Sequence, residues 1–440
     1  MTKDLLKQFE KEVKKCILCG ACQSVCPVYI ENPDETQVAR GRMALLDSVL
    51  SGKLELTDHL NDILSSCIGC KACSAQCPAG SSADLANLAA KIILSREKGL
   101  PFYQKLISRQ IFSNPGILTT SAHLMDIMGR KLYTPLSRVR PIRPLLPYVQ
   151  NGAARQIPPA SAKPFRKRRL VNCPTSEPKG RVALFYGCAV DLFFPHWGES
   201  AIRILNRAGF EVIVPENMTC CGAPMLFMGD YETAGKAMKT NLAALTAYET
   251  DAVITLCATC GYMLRELYPK FFQESSADPL PGKVMDLQEF LISKNLMKDL
   301  ILNEETRPLL RVTYHDPCHL NHGMGVREAP RVILKSLPGV EFVEMRDADR
   351  CCGGGGLFSM SHYDLSLKIG RHKVERIRET EAEVVATACP SCMIHLTDLL
   401  KRAGLKTRVL HVSELLNSAL RVSDTAFAAI SPFSDKRSKK

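Results

Sequence analysis

One pattern of five cysteines occurs twice in this 440-residue chain, and few folds can accommodate it. The first copy reads Cys-x31-Cys-Cys-x35-Cys-x2-Cys and comprises Cys188, Cys220, Cys221, Cys257 and Cys260. The second reads Cys-x32-Cys-Cys-x36-Cys-x2-Cys and comprises Cys318, Cys351, Cys352, Cys389 and Cys392. The two long gaps each differ by a single position between the copies and the short one is identical, so the second half is a duplication of the first. Each adjacent pair leads into glycine, at Gly222 and at Gly353 to Gly356. A vicinal disulfide is strained, so each pair reads as two thiolates offered to one metal assembly.

The segments between these cysteines alternate short apolar runs with amphipathic stretches. Residues 181–186 (RVALFY), 211–214 and 252–256 read as strands, 199–208 and 231–248 as helices; 310–314 (LRVTY), 327–337, 340–344, 362–380 and 383–386 repeat the order. Closing segments 284–291 (VMDLQEFL) and 409–416 (VLHVSELL) recur as well. Such alternation predicts parallel sheets with crossover helices. All five thiols of each repeat then gather at the carboxyl ends of strands, where open α/β sheets place ligands and helix N-termini favour thiolate. The glycines, Gly222, Gly353 and Gly354 among them, let an inorganic cluster approach the backbone. Five thiolates exceed the needs of tetrahedral zinc or a cubane, which favours an iron-sulfur cluster of unusual shape; zinc or a structural role is the alternative.

Upstream, Cys16, Cys19, Cys22 and Cys26 precede Pro27, and Cys67, Cys70, Cys73 and Cys77 precede Pro78 with identical spacing. This is the bacterial ferredoxin run, in which the fourth cysteine ligates the other cluster. Cys16, Cys19, Cys22 and Cys77 are therefore assigned to one 4Fe-4S cluster, and Cys67, Cys70, Cys73 and Cys26 to a second. Zinc sites, the competing reading, take pairs of ligands split by a longer loop. Residues 37–50 and 83–95 show helical spacing, so this domain should be a helical two-cluster ferredoxin. Arg40 and Arg42 are candidates to neutralise cluster charge or dock a partner, a solvated helix face being the plainer reading.

The domains expected are 1–100, helical ferredoxin; 101–180, a helical, proline-rich basic connector; 181–300 and 301–425, the two α/β repeats; and 426–440, a basic tail. The net charge of +12 is concentrated: residues 131–181 hold twelve Lys or Arg against Glu177 alone. Dense prolines should keep the connector partly extended over the surface, free to meet acidic lipid, an acidic protein or only water. Cys173 has no motif around it. No recognition module for nucleic acid accompanies the charge, no apolar run approaches the length of a membrane span, and residues 1–15 lack a secretory apolar core. A cytoplasmic protein is expected, its thiols held reduced and committed to metals. No dinucleotide or phosphate-loop motif is present, so no flavin or nicotinamide site is expected in this chain. A two-electron donor would have to come from another subunit.

With two ferredoxin runs and two complete repeats, the chain resembles the heterodisulfide reductase-related iron-sulfur proteins across residues 10 to 416, and its N-terminal order, including Arg40-Gly41-Arg42, resembles the iron-sulfur subunit of glycolate oxidase. The resemblance implies an α+β multidomain fold, a helical two-cluster ferredoxin domain followed by two duplicated α/β cysteine-rich (CCG) domains with parallel sheets. It also implies two 4Fe-4S cubanes and one or two further clusters, noncubane 4Fe-4S in kind. The implied role is passing electrons from an FAD-linked 2-hydroxy acid (glycolate or lactate type) dehydrogenase towards a membrane or quinone acceptor, with peripheral contact at the inner face of the membrane through the basic connector. One departure is that Cys257, Cys260, Cys389 and Cys392 are all present, where glycolate oxidase subunits often keep only part of each pair. Full repeats resemble the catalytic subunit of heterodisulfide reductase, which cleaves a disulfide at noncubane clusters. For that chemistry His315, Asp316 and His319, with His322, are candidate proton donors around Cys318; the plainer reading makes them hydrogen-bonded supports. A nonredox zinc scaffold is the third reading.

Overall fold

A computed structural model describes residues 2–128, 149–150, 153–168, 177–272, 279–300 and 309–420. Cys173, the start of the basic connector near Lys131 and the tail at 426–440 lie outside the described residues.

The N-terminal part is helical. Helix α1 (Thr2–Lys14) buries Leu5, Phe9 and Val13 at four-residue spacing, which places them in one stripe against α4 (Ala83–Lys98). Helix α2 (Ala39–Leu50) turns Arg42, Met43 and Leu46 inward, and α3 (Asp58–Ser65) starts at Thr57, whose hydroxyl accepts from Leu60 N–H at 3.1 Å. Helix α4 buries most of its surface because it packs on α1 to α3 on one side and residues Ala223–Met228 on the other.

Each repeat forms one four-stranded parallel sheet. The first has β1 (Gly180–Phe185), β2 (Phe210–Ile213), β3 (Ala252–Thr255) and β4 (Val284–Asp286) in the order β2-β1-β3-β4. The second has β5 (Leu310–Tyr314), β6 (Val340–Phe342), β7 (Val384–Thr387) and β8 (Arg408–His411) in the matching order β6-β5-β7-β8. Registers match too: Val182 pairs with Ala252 as Val312 pairs with Val384. Central strands β3 and β7 are buried on both faces, consistent with their unbroken apolar runs.

The repeats pack about a local twofold. The first long helix of repeat one, α5 (Pro195–Arg207), lies on the last helix of repeat two, α8 (Val412–Ala419). Between its strands repeat two also carries α6 (Tyr363–Glu379) and α7 (Pro390–Arg402), packed on each other. Reciprocally, Leu287–Ser293, closing repeat one, lies on Glu328–Ser336, opening repeat two. Trp197 stacks on His411 with ring centroids 4.3 Å apart, and Ala258 N–H donates to the Ala388 carbonyl at 3.1 Å across the axis.

Part of the connector, expected to lie over the surface, is buried at Phe165. Residues 153–168 form a strap across both repeats: Arg155 donates to Ser359 (3.0 and 2.8 Å), and Phe165 is fully buried. Gly198 makes this seat possible, since a Cβ there would overlap the Phe165 ring. Arg166 pairs with Asp191 and Arg168 with Glu199, so part of the basic charge is spent inside the fold. Among the described residues no helix is long and apolar enough to cross a membrane.

Candidate metal centres

Cys16, Cys19, Cys22 and Cys77 line one small open cavity of about 30 Å³, with Arg40 and Cys73 in the same wall. The backbone supplies the tight curvature: Leu18 and Gly20 both have positive φ, 55° and 85°. Cys77 reaches this cavity from the second run, as the proline turn requires. Cys26 returns the exchange: it caps the one-turn helix Pro27–Glu31 and interacts with Cys70 and Cys67. Cys73 also feels Cys67, Cys70 and Cys26, so the second set of thiols is assembled as well. Burial pushes the Cys26 thiol up to about 11, with nearby Arg42 opposing the shift.

The two arginines divide between the sets. Arg40 stands at the first cavity, while Arg42 is buried beside the second, donating to the Ile63 carbonyl at 3.2 Å and to Ser66 Oγ at 2.9 Å.

Both repeats gather their five thiols at the carboxyl edge of the sheet. Cys257 and Cys389 are the N-caps of Ala258–Tyr262 and of helix α7. In the second repeat, Cys318, Cys351, Cys352, Cys392 and Cys389 interact in series. In the first, the series is Cys188, Cys220, Cys221, Cys260 and Cys257. Cys257 and Cys389 then lie within hydrogen-bonding reach of one another, joining the two series, and Cys70 lies within such reach of Cys351. The thiols thus run without a break from the second ferredoxin set through repeat two to repeat one. Hydrogen bonds from Cys220 and Cys260 hold Cys221 down at about 6, and those from Cys351 and Cys392 lower Cys352; in exchange Cys392 is pushed up, its hydrogen bond to Cys352 leading. Crowded buried thiols cannot all ionise in apolar surroundings, whereas bound cations would permit it. The donor set therefore fits a metal assembly.

The candidate proton donors separate. Asp316 is clamped by Arg331 at 2.7 and 2.9 Å. His319 donates from Nε2 to the Gly69 carbonyl (3.0 Å) and accepts at Nδ1 from Thr259 (3.0 Å), which ties it to both neighbouring domains. His315 alone joins the thiols: one of its ring nitrogens, Cys352 Sγ and Cys392 Sγ lie within 4.8 Å of one another. His322 is half-buried, and burial lowers its basicity.

The glycines are required mainly by protein packing. A Cβ on Gly353 (φ +89°) would meet Ser366 O at 2.5 Å, one on Gly355 (φ +48°) would meet Ile68 Cγ1 at 2.5 Å, and Gly222 has φ +86°. They also meet the thiols: Gly353 N–H donates to Cys351 Sγ at 3.5 Å, and the Cβ position of Gly354 is 3.5 Å from Cys352 Sγ.

Two groups near the second repeat carry no motif. Lys373 is buried on α6 and donates to the Ala348 carbonyl at 3.1 Å; burial lowers it to about 8 while Cys352 and Cys351 oppose the shift. His395 is fully buried one turn after Cys392, with Ser366 Oγ 3.2 Å from Nε2. The short helical step from Cys392 to His395 was a readable signal; Lys373, on a mixed helix, offered none.

A 4Fe-4S dicluster domain model matches residues 12–81, and a cysteine-rich domain model matches twice, at 182–265 and 312–397. A probable glycolate oxidase iron-sulfur subunit from Bacillus subtilis is 32% identical over 93% of this chain and 94% of its own length. The chain belongs to this family of iron-sulfur proteins. A fumarate reductase (CoM/CoB) subunit from Methanothermobacter marburgensis is 32% identical over 81% of the chain and 72% of its own length. A lactate utilization protein A from Geobacillus is 36% identical over 54% of the chain and 99% of its own length. The family carries iron-sulfur clusters and oxidoreductase chemistry, and its dicluster and cysteine-rich domains coincide with the four sets of thiols described above.

Proposed function

We propose that the chain is the electron-transfer subunit of a 2-hydroxy acid dehydrogenase complex of the glycolate or lactate type, receiving electrons from an FAD-linked partner and delivering them towards a membrane or quinone acceptor. The carrying observation is the unbroken series of thiols from Cys70 and Cys351 to Cys389 and Cys257. Bound iron-sulfur clusters, two cubanes in the ferredoxin domain and further clusters in the repeats, would supply one-electron redox chemistry.

The protein's part is to hold, shield and neutralise. Cys16, Cys19, Cys22 and Cys77 would hold the first cluster, and Cys67, Cys70, Cys73 and Cys26 the second. The thiols of the two repeats would hold the remaining groups. Arg42 and Lys373 place buried positive charge beside thiolates, which lessens the cost of keeping them ionised. Ile17 is 67% exposed and Leu18 46%, an apolar lip beside the exposed Cys19 that suits a docking partner. The name of one relative, an iron-sulfur subunit of a glycolate oxidase, favours a separate oxidase subunit as that partner.

Disulfide reduction at a repeat, the alternative, is disfavoured by burial. Cys351, Cys352, Cys389 and Cys392 are all buried, Asp316 is clamped and His319 has both nitrogens engaged. Anaerobic purification of the native complex tests the proposal. A copurifying FAD-linked dehydrogenase, with glycolate- or lactate-dependent bleaching of the iron-sulfur absorbance, is the expected result. Reduction of a thiol-coenzyme disulfide by this chain without such a partner would overturn it.

A further inference from the structure

His315 sits at the end of β5, its backbone fixed on both sides: its N–H donates to the Ala386 carbonyl at 3.0 Å and its carbonyl accepts from Thr387 Oγ1 at 3.3 Å. The side chain is 0% exposed and neither Nδ1 nor Nε2 has a nitrogen or oxygen partner among the described residues; the Cys352 thiol lies within hydrogen-bonding reach of the ring, which leaves at least one ring nitrogen unpaired. Buried polar groups left unpaired are costly and uncommon, and an absent ion is one of the few physical reasons for them. The imidazole is not stranded at random, because a ring nitrogen shares a space under 4.8 Å across with Cys352 and Cys392 Sγ. Metal bonds of about 2.0–2.3 Å to nitrogen and sulfur bring donor atoms to within about 4 Å of each other, so a modest adjustment closes this triangle on one metal.

The first repeat lacks the group. In the ungapped alignment of residues 181–188 with 311–318, Phe185 stands where His315 does. Phe185 is buried, its ring carbon 3.5 Å from the position a Cβ on Gly187 would take, so the equivalent space there is filled by hydrocarbon.

We propose that His315 is a metal ligand of the second repeat, binding through one ring nitrogen beside the thiolates of Cys352 and Cys392. This rests on the reading that the repeats hold metal groups, and it makes the two repeat sites chemically unequal: one all-sulfur, one mixed sulfur and nitrogen.

The test is electron–nuclear spectroscopy of the full chain, purified anaerobically with natural-abundance and with ¹⁵N-histidine labelling, alongside metal analysis and X-ray absorption. A directly coupled histidine nitrogen on one repeat centre is expected, lost in His315→Phe, which copies the first repeat, and in His315→Gln. The ferredoxin-domain signals serve as the folding check in both variants. Iron-loaded repeats with sulfur-only coordination, or a nitrogen coupling that persists in His315→Phe, would overturn the ligand assignment while leaving the cluster reading intact. Zinc in the second repeat with nitrogen in its shell, lost in the same variants, would uphold the ligand and defeat the iron-sulfur reading there.

Discussion

Cys257 and Cys389, distant in sequence and equivalent in the duplication, meet at the local twofold between the repeats. Each caps the helix that opens its own Cys-x-x-Cys pair. The duplication therefore brings two metal-binding edges face to face. Replacing Cys389 by Ser should remove one repeat centre, lower the iron content by about four per chain if that centre is 4Fe-4S, and leave the ferredoxin-domain signals in place. Iron analysis with electron paramagnetic resonance reads both outcomes.

The approach of repeat two to the ferredoxin domain depends on Gly355, which lies against Ile68 between Cys67 and Gly69. Gly355→Ala should destabilise the chain by about 1–3 kcal/mol through overpacking, with strain at φ +48° added. Ile68→Ala in the same chain should relieve the packing part but not the backbone part. A double-mutant cycle by denaturant unfolding separates them; strictly additive losses would mean that the two residues do not touch.

Arg42 should be worth about 1–3 kcal/mol, because its removal leaves Ser66 Oγ without its buried donor and the Ile63 carbonyl with Ser66 Oγ alone, at 2.7 Å. Arg42→Met is expected to lower the thermal midpoint and impair retention of the cluster near Cys26, with Arg42→Lys intermediate. Arg40→Met, at the rim of the first cavity, should do less to stability.

Lys373 gives the second repeat a positive charge where the first has Asn241, the residue at the equivalent helix position. Reduction adds negative charge, so Lys373→Met should lower the midpoint potential of the second repeat centre by roughly 60 mV, about a tenfold change in the one-electron equilibrium. Redox titration followed by paramagnetic resonance measures it, with the first repeat centre as internal reference.

His411 predicts an acid-labile contribution. It is buried, donates from Nε2 to the Leu256 carbonyl at 3.2 Å and accepts at Nδ1 from Ser413 N–H at 3.1 Å, which requires the neutral ring. Burial lowers its pKa from 6.5 to about 4. The unfolded chain therefore binds the proton first, so this stability is fully present above pH 6.5 and is lost as pH falls towards 4, by at most about 3 kcal/mol. Thermal midpoints against pH for wild type and His411→Asn should converge over that interval.

Much of the architecture was legible because the signals were local or periodic. The parallel pairing follows from the repeat's alternation, and the placing of Cys77 beside Cys16, Cys19 and Cys22 follows from ferredoxin spacing. What could not be read were contacts between distant segments. Asp316 stands beside His315 in sequence, yet both its oxygens are taken by Arg331, and His319 is consumed in joining Gly69 to Thr259. The glycines after Cys352 suggested room for a cluster, but Gly353 and Gly355 are demanded by Ser366 and Ile68. The strap at 153–168 was hidden by its prolines and charges, because its burial depends on Gly198 and Asp191 supplied by the first repeat.

Metal quantification on the anaerobically purified chain tests the four-centre electron carrier most directly. About sixteen irons per chain, with matching acid-labile sulfide and no stoichiometric zinc, is the expected result for four 4Fe-4S centres. About eight irons with zinc in both repeats would contradict it, because the thiols linking Cys70 to Cys188 would then hold a metal that carries no electrons.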